Sequence, residues 1–289
     1  MNTQTDFEIR SVTVIGAGAM GHGIAHVAAA AGFDVCLTDV NPQALETALD
    51  RVRDNLDRGI AKGKLTERER DDTLAHLHGE PDLRIAASQA DLLIEAVPER
   101  SDLKRAIFAI AAETAPEHAI FATNTSSIPL SQLVGALPRG DRFIGLHFFN
   151  PVHLQPLLEI VRCGTTSEDT LQRALEFATR VGKDAIVVRD VAGFASSRLG
   201  IALGLEAIRM VEEGVASVAD IDKAMELGYR HPMGPLKLTD LVGLDVRLAI
   251  AETLAKEIDG HRFAPPRLLC ELVAAGKLGK KTGEGFYKY

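Results

Sequence analysis

Short apolar runs separated by polar or glycine-rich turns fill the chain up to Asp190, whereas beyond it apolar residues recur every third or fourth position. The first pattern is that of buried strands, and the second that of helices packed along one face. Ser11-Val-Thr-Val-Ile15 reads as a buried strand, followed by a glycine-rich turn, an Ala-rich helix ending near Gly32 and a second strand over Phe33–Asp39. That order opens a right-handed crossover and implies a parallel sheet. The charged stretch from Pro42 to about Leu77 has helical period and is expected to form a helical hairpin before the sheet resumes. Further strands are expected at Leu83–Ala86, Leu92–Val97, Ala119–Thr123, Phe143–Phe148, Leu157–Val161 and Ala185–Val188. After Gly193 no such run appears. Ile201, Leu205, Ile208 and Val211 share a helical face, and Gly and Pro at 231–235, 243, 260 and 265–266 cut the remainder into about five helices. The expected class is α/β: a doubly wound sheet over residues 1–189, then a smaller all-α domain over 190–289.

Composition narrows the partners. A chain of 289 residues with 46% hydrophobic content has material for about two cores. No run approaches the roughly 18 apolar residues of a membrane helix, and Met1–Arg10, with Asp6, Glu8 and Arg10, does not resemble a signal peptide. The expectation is a protein with no membrane partner that stays where it is made. Cys36, Cys163 and Cys270 are scattered and odd in number, which points to neither a disulfide framework nor a zinc site and suits a reducing cytoplasm. A net charge of −8 argues against nucleic acid as a partner, so any anionic ligand must be held locally. Between Arg51 and Arg70 seven Lys or Arg residues alternate with Asp and Glu, which on composition alone reads as a solvated helix face laced with ion pairs.

Gly16-Ala-Gly-Ala-Met-Gly21 satisfies GxGxxG directly after the first strand and opens the first helix, and Asp39 ends the next strand 18 residues after Gly21. In that context the pattern marks a Rossmann dinucleotide-binding domain. Gly16 allows the tight turn, Gly18 lets backbone approach a pyrophosphate, and Gly21 lets helix pack on strand. The carboxylate of Asp39 accepts from ribose hydroxyls and repels a 2′-phosphate, and no Lys or Arg follows it before Arg51, so NAD is expected over NADP. The competing role for Asp39, capping the helix near Pro42, falls more naturally to Asn41.

Oxidising a secondary alcohol by hydride transfer needs a base for the hydroxyl proton, a task suited to histidine. Of nine histidines, His76, His78, His118 and His261 sit in polar or loop-like stretches, and His22 and His26 ride on the glycine-loop helix. His147 instead interrupts the apolar run 144–149, just as Glu159 interrupts 157–161. If the segment between them reverses the chain, the two strands pair about His153 and set His147 opposite Glu159. A buried carboxylate needs such a partner, and the pair reads either as a general base with its orienting acid or as a satisfied structural pair. The turn Asn124-Thr-Ser-Ser127 follows a strand end, where α/β sheets bind ligands, and Ser126 there is a candidate donor to the reacting oxygen. Asn and Ser at such a place are also ordinary turn residues.

Val14-Ile-Gly-Ala-Gly-Ala-Met-Gly21, Glu95-Ala-Val-Pro-Glu99, Asn124-Thr-Ser-Ser127, Gly145-Leu-His-Phe-Phe-Asn-Pro151, His231-Pro-Met-Gly-Pro235 and Lys281-Thr-Gly-Glu-Gly-Phe-Tyr287 together resemble the L-3-hydroxyacyl-CoA dehydrogenases, specifically the single-function bacterial 3-hydroxybutyryl-CoA type. The resemblance spans nearly the whole chain. It implies His147 as general base with Glu159 as partner, and Ser126 contacting both the substrate oxygen and the nicotinamide region. It also implies Met20, Glu99, Lys104, Asn124, Asn150 and Lys281 around NAD, and Lys62 near the CoA phosphates of an acyl-CoA substrate. It further implies (3S) stereochemistry, a homodimer formed largely through the helical domain, and a place in fatty-acid or butanoate metabolism. One position departs: Ser197 stands where the family commonly has an Asn on the substrate side, and a hydroxyl offers fewer donors than a carboxamide. Two rivals keep the fold: a dehydrogenase of a free hydroxy acid or sugar acid, and a non-catalytic NAD-binding protein.

Overall fold

The computed structural model describes residues 8–289. The expectation drawn from Met1–Arg10 therefore rests mostly on residues 1–7, outside those described. The chain divides into two compact units, Met1–Asp190 and Val191–Tyr289. Asp190 stays with the first unit because its carboxylate accepts the Leu130 and Ser131 N–H groups at 2.8 and 2.9 Å.

In the first unit β1 (Ser11–Ile15), β2 (Asp34–Thr38), β3 (Leu77–Gly79), β4 (Leu92–Glu95), β5 (Ile120–Thr123), β6 (Phe143–Phe148), β7 (Leu157–Arg162) and β8 (Asp184–Arg189) form one sheet. Its order is β3-β2-β1-β4-β5-β6-β7-β8, parallel throughout except for the antiparallel β6 and β7 pair. The helices α1 (Gly21–Ala30), α2 (Pro42–Ala61), α3 (Glu67–Ala75), α4 (Leu83–Ala87), α5 (Ser101–Ala112) and α6 (Glu168–Arg180) join the strands. All residues of β4 and β5 are buried, as expected of parallel strands covered on both faces, which is why they read as unbroken apolar runs. Alanines at 25, 28 and 29 let α1 lie close on the sheet, in a core with Val12, Val14, Leu92 and Ile94.

The hairpin expected over 42–77 is present as α2 and α3. Asn41 caps α2, its side chain accepting from the Gln43 and Ala44 N–H groups, and Thr66 with Glu69 forms a capping box at the start of α3. One strand expectation is wrong: Leu83–Ala86 is the short helix α4, begun by Asp82, whose carboxylate accepts from Arg84 and Ile85 N–H. The strand on that edge is β3, a three-residue segment too short and too polar to show a period.

The second unit is all-helical: α7 (Ser196–Glu212), α8 (Val218–Gly228), α9 (Pro235–Val242), α10 (Leu244–Glu257) and α11 (Arg267–Ala274). Ile201, Leu205 and Ile208 are buried with Leu236, Leu254 and Phe263, as their spacing required. Asp240, fully buried, takes the Phe286 and Tyr287 N–H groups at 2.8 Å each and so ties the chain's end onto α9. Among the described residues no helix is long and apolar enough to cross a membrane.

Candidate active site

Because β1, β4, β5 and β6 run parallel, the segments that follow them gather at one edge of the first unit, with the chain crossing over between β1 and β4. This is the topological switch point at which open α/β sheets bind ligands.

After β1, Gly16 adopts φ +107° and donates its N–H to the Thr38 carbonyl at 2.7 Å. A Cβ there would press on the Ala96 carbonyl, and one on Gly21 would overlap the Gly16 carbonyl oxygen, so both positions demand glycine. Gly18 differs, since a Cβ on it would meet nothing within 4 Å. Its backbone is open to an approaching group. Met20 stands immediately before α1, at its N-cap position. Asp39 reaches the same turn, its carboxylate accepting the Ala17 N–H at 2.8 Å and the Asn41 N–H at 2.9 Å. The turn, the start of α1 and an acidic residue at the end of β2 thus form one cradle whose donor and acceptor set fits a dinucleotide.

After β4 and β5 lies a buried ionic cluster. Lys104, 1% exposed, donates to both oxygens of Glu95 at 2.7 and 2.8 Å and lies 3.1 Å from Glu99. Glu99 in turn accepts from the Thr125 hydroxyl, the Ser126 and Ser127 N–H groups and the Ser127 hydroxyl, all at 2.5 to 3.1 Å. Burial pushes the Glu99 carboxyl up, but Lys104 and these donors outweigh it and hold the group below the usual carboxylate range. For Glu95, wholly buried, burial prevails over the pull of Lys104, Thr123 and the Val97 N–H and raises it. Lys104, expected beside the cofactor, is therefore spent on the carboxylates of Glu95 and Glu99. The 124–128 turn is pinned from below, and Asn124 ties it sideways, its Oδ1 accepting the Phe148 N–H at 2.9 Å.

On the far side of that link stand His147 and Glu159. The register of β6 against β7 pairs Gly145 with Val161 and His147 with Glu159, centred on His153 as the sequence suggested. His147 Nδ1 and Glu159 Oε2 are 2.7 Å apart, with His147 6% and Glu159 0% exposed. An ionised carboxylate only accepts, so Nδ1 carries the hydrogen and Nε2 presents the lone pair. Phe149 packs against the imidazole with ring centroids 4.5 Å apart.

The first unit thus brings together Gly16, Gly18, Met20, Gly21, Asp39, Glu99, Asn124, Ser126, His147 and Glu159, with Asn150 exposed just beyond β6. Ser197, in the first turn of α7, and Lys281 belong to the second unit, where Lys281 Nζ lies 2.5 and 2.7 Å from the Asp245 carboxylate. Lys62 caps the end of α2 and lines a separate pocket of about 770 Å³ together with Arg58, Lys64, Arg180, His22 and His153. No acidic side chain is among the described residues lining it. The mixed-charge helix of the sequence thus turns a cationic face to one pocket. In the same wall His26 is buried and stacked on His153 at 5.5 Å; burial, then the neighbouring His153, His22 and Lys183, lower its imidazole to about 4.

Sequence reasoning missed Glu95 and this histidine stack. Glu95 carried a readable signal, a carboxylate closing the apolar run Leu92-Leu-Ile, the same anomaly that singled out Glu159.

Residues 11–191 match the family model for the NAD binding domain of 3-hydroxyacyl-CoA dehydrogenase, and residues 193–289 match the model for its C-terminal domain. The chain belongs to the 3-hydroxyacyl-CoA dehydrogenase family. Among family members it is 43% identical to a probable 3-hydroxybutyryl-CoA dehydrogenase of Bacillus subtilis, over 98% of both chains. It is 42% identical to the mitochondrial hydroxyacyl-coenzyme A dehydrogenase of the pig, over 97% of this chain and 91% of that one. The crystal structure of the (S)-3-hydroxybutyryl-CoA dehydrogenase of Ralstonia eutropha superposes with a TM-score of 0.95 at 40% identity, covering 98% of this chain and 99% of the other. The glycine cradle thus lies within the stretch that matches the NAD binding domain of this family.

Proposed function

We propose that this family member oxidises the 3-hydroxyl of (3S)-3-hydroxyacyl-CoA thioesters, short chains such as 3-hydroxybutyryl-CoA among them, with His147 as general base. The observation that carries the proposal is the buried 2.7 Å contact of His147 Nδ1 with Glu159, tied through Asn124 to the Ser126 turn. Glu159 fixes the tautomer and ring orientation and stabilises the imidazolium that forms when Nε2 takes the hydroxyl proton. Ser126, on a turn that Glu99 pins at two backbone N–H groups, donates to the substrate oxygen. The Gly16–Gly21 turn and Asp39 hold NAD, with Met20, Glu99, Asn124 and Asn150 around it. NAD, when bound, accepts the hydride from C3. Lys104 acts one step removed, by keeping Glu99 ionised. Lys62 with the cationic pocket takes the CoA phosphates. A homodimer in the cytoplasm belongs to the same proposal and is supported by the family resemblance.

NADH absorbance followed with acetoacetyl-CoA, free acetoacetate and a sugar acid tests this reading. Consumption of NADH with the CoA ester alone is expected. Turnover confined to a free acid, or none with any of the three, would overturn it.

A further inference from the structure

The segment 150–156 that joins β6 to β7 stands between the two members of the catalytic pair, beginning three residues after His147 and ending three before Glu159. The Pro151 carbonyl accepts the Leu154 and Gln155 N–H groups at 3.0 Å each, which folds the segment into a turn. The Val152 and Gln155 carbonyls accept instead from a single cation: Lys183, beyond α6, donates its Nζ to them at 2.5 and 2.7 Å. An ammonium has three donors, so one side chain can close such a turn. Among the described residues no carboxylate pairs with Lys183, and burial holds its ammonium below the usual lysine range. From the other side α1 packs against the turn. Val152, 2% exposed, rests on Gly23, where a Cβ would come within 2.9 Å of it, and His153 stacks on His26. Pro151, His153 and Leu154 of the same turn wall the cationic pocket that holds Arg58 and Lys62. All of these residues lie in the first unit, so one short turn borders the pocket and continues into both strands of the pair.

We propose that Lys183 is a positioning residue for the reaction: by fastening the 150–156 turn it passes the binding of the nucleotide part of CoA in the cationic pocket on to the His147 and Glu159 pair. The inference rests on the 3-hydroxyacyl-CoA reading and on that pocket as the CoA site. Binding energy from a part of the substrate remote from the reacting carbon raises kcat where it improves the fit of the reacting groups in the transition state. A turn fastened at Val152 and Gln155 shifts together with the strand ends that carry the imidazole and its carboxylate. Unfastened, the pocket wall yields without moving them. The Asp184 N–H, which donates to the Pro156 carbonyl at 2.9 Å, secures only the end nearer Glu159. The part that walls the pocket depends on Lys183 and on the contact with Gly23. Lys183 itself touches neither substrate nor cofactor.

Acetoacetyl-CoA and acetoacetyl-pantetheine, which keeps the thioester but lacks the nucleotide, test it on the full chain at saturating NADH. The wild type should turn over the CoA ester with a kcat roughly tenfold or more above that for the pantetheine ester, beyond any difference in KM. Lys183→Met should bring kcat with the CoA ester down to about the pantetheine value, a loss of roughly tenfold within the 10²-fold that about 1 Å of remote misplacement can cost. Turnover of the pantetheine ester should change little, and NADH affinity should stay close to that of wild type. Lys183→Arg, which keeps a cationic donor, should restore part of the kcat advantage. Gly23→Ala presses on Val152 from α1 and should act in the same direction; it gives the answer by itself if Lys183→Met does not fold. Equal kcat for the two esters in the wild type, an equal loss with both in the variants, or a change confined to KM would overturn the inference while leaving the dehydrogenase reading intact. So would a parallel loss of NADH binding, because the turn would then act through α1 and the cofactor. Absence of turnover by the wild type with either ester would overturn the dehydrogenase reading, and the inference with it.

Discussion

His147 and Glu159 were separable from the other titratable residues in the sequence because each breaks an apolar run, and a charge on a buried strand must be answered by another. The 2.7 Å contact is that answer. His147→Ala should lower kcat by about 10²- to 10⁴-fold, while NADH affinity, read by fluorescence titration, stays within a small factor of wild type. A parallel loss of NADH binding would assign the imidazole to structure. Glu159→Gln replaces an acceptor with a group that also donates and so favours the wrong tautomer, and kcat should fall on the order of 10⁴-fold with KM little changed. The same residue-level logic reaches Glu95 but not Arg247. A cation between Val246 and Leu248 is unremarkable until the helix register shows that it sits on the buried stripe.

At the scale of elements, the 124–128 turn matters more than any one of its residues. Asn124, Thr125, Ser126 and Ser127 look like an ordinary polar turn, and their short spacing carries no sign that one Glu99 oxygen takes four of their donors. Nor does sequence show that Glu99 is itself held by Lys104 of α5, which Glu95 of β4 pairs in turn. Removing one member of a buried ionic cluster leaves the rest uncompensated, typically at a cost of about 3 to 5 kcal/mol. Glu95→Gln should therefore lower the urea midpoint markedly and reduce kcat as the turn loosens, although Glu95 touches neither substrate nor cofactor in the proposed mechanism. Glu95→Gln combined with Lys104→Met should recover much of the stability. A single variant as stable as wild type would show that Glu99 alone secures the turn. The misread segment 83–86 belongs to this scale as well: an apolar tetrad fits strand or helix equally, and the cap supplied by Asp82 decides for helix.

For the whole molecule, a net charge of −8 coexists with a pocket lined by Arg58, Lys62, Lys64 and Arg180. An anionic cosubstrate held there should feel local attraction that salt screens over roughly 10 Å. KM for acetoacetyl-CoA is therefore expected to rise with ionic strength, and Lys62→Ala to raise it roughly three- to tenfold at low salt with kcat unchanged, the signature of uniform binding. A salt-independent KM, or a loss confined to kcat, would remove the pocket from CoA recognition. The sequence by itself determined the α/β class, the helical second unit, the glycine cradle with Asp39, and the opposition of His147 to Glu159. Each follows from local rules: periodicity, the φ only glycine adopts, and the two-residue alternation of an antiparallel pair. Tertiary structure alone decided what depends on segments distant in sequence. It placed Lys104 beneath Glu99 and Glu95, and turned the cations of α2 toward His22, His153 and Arg180. It also brought Gly200 against Arg247 and, among the described residues, left the Arg247 Nε without a partner. Packing sets those neighbours, and a burial cost arises only once the chain has folded around the charge.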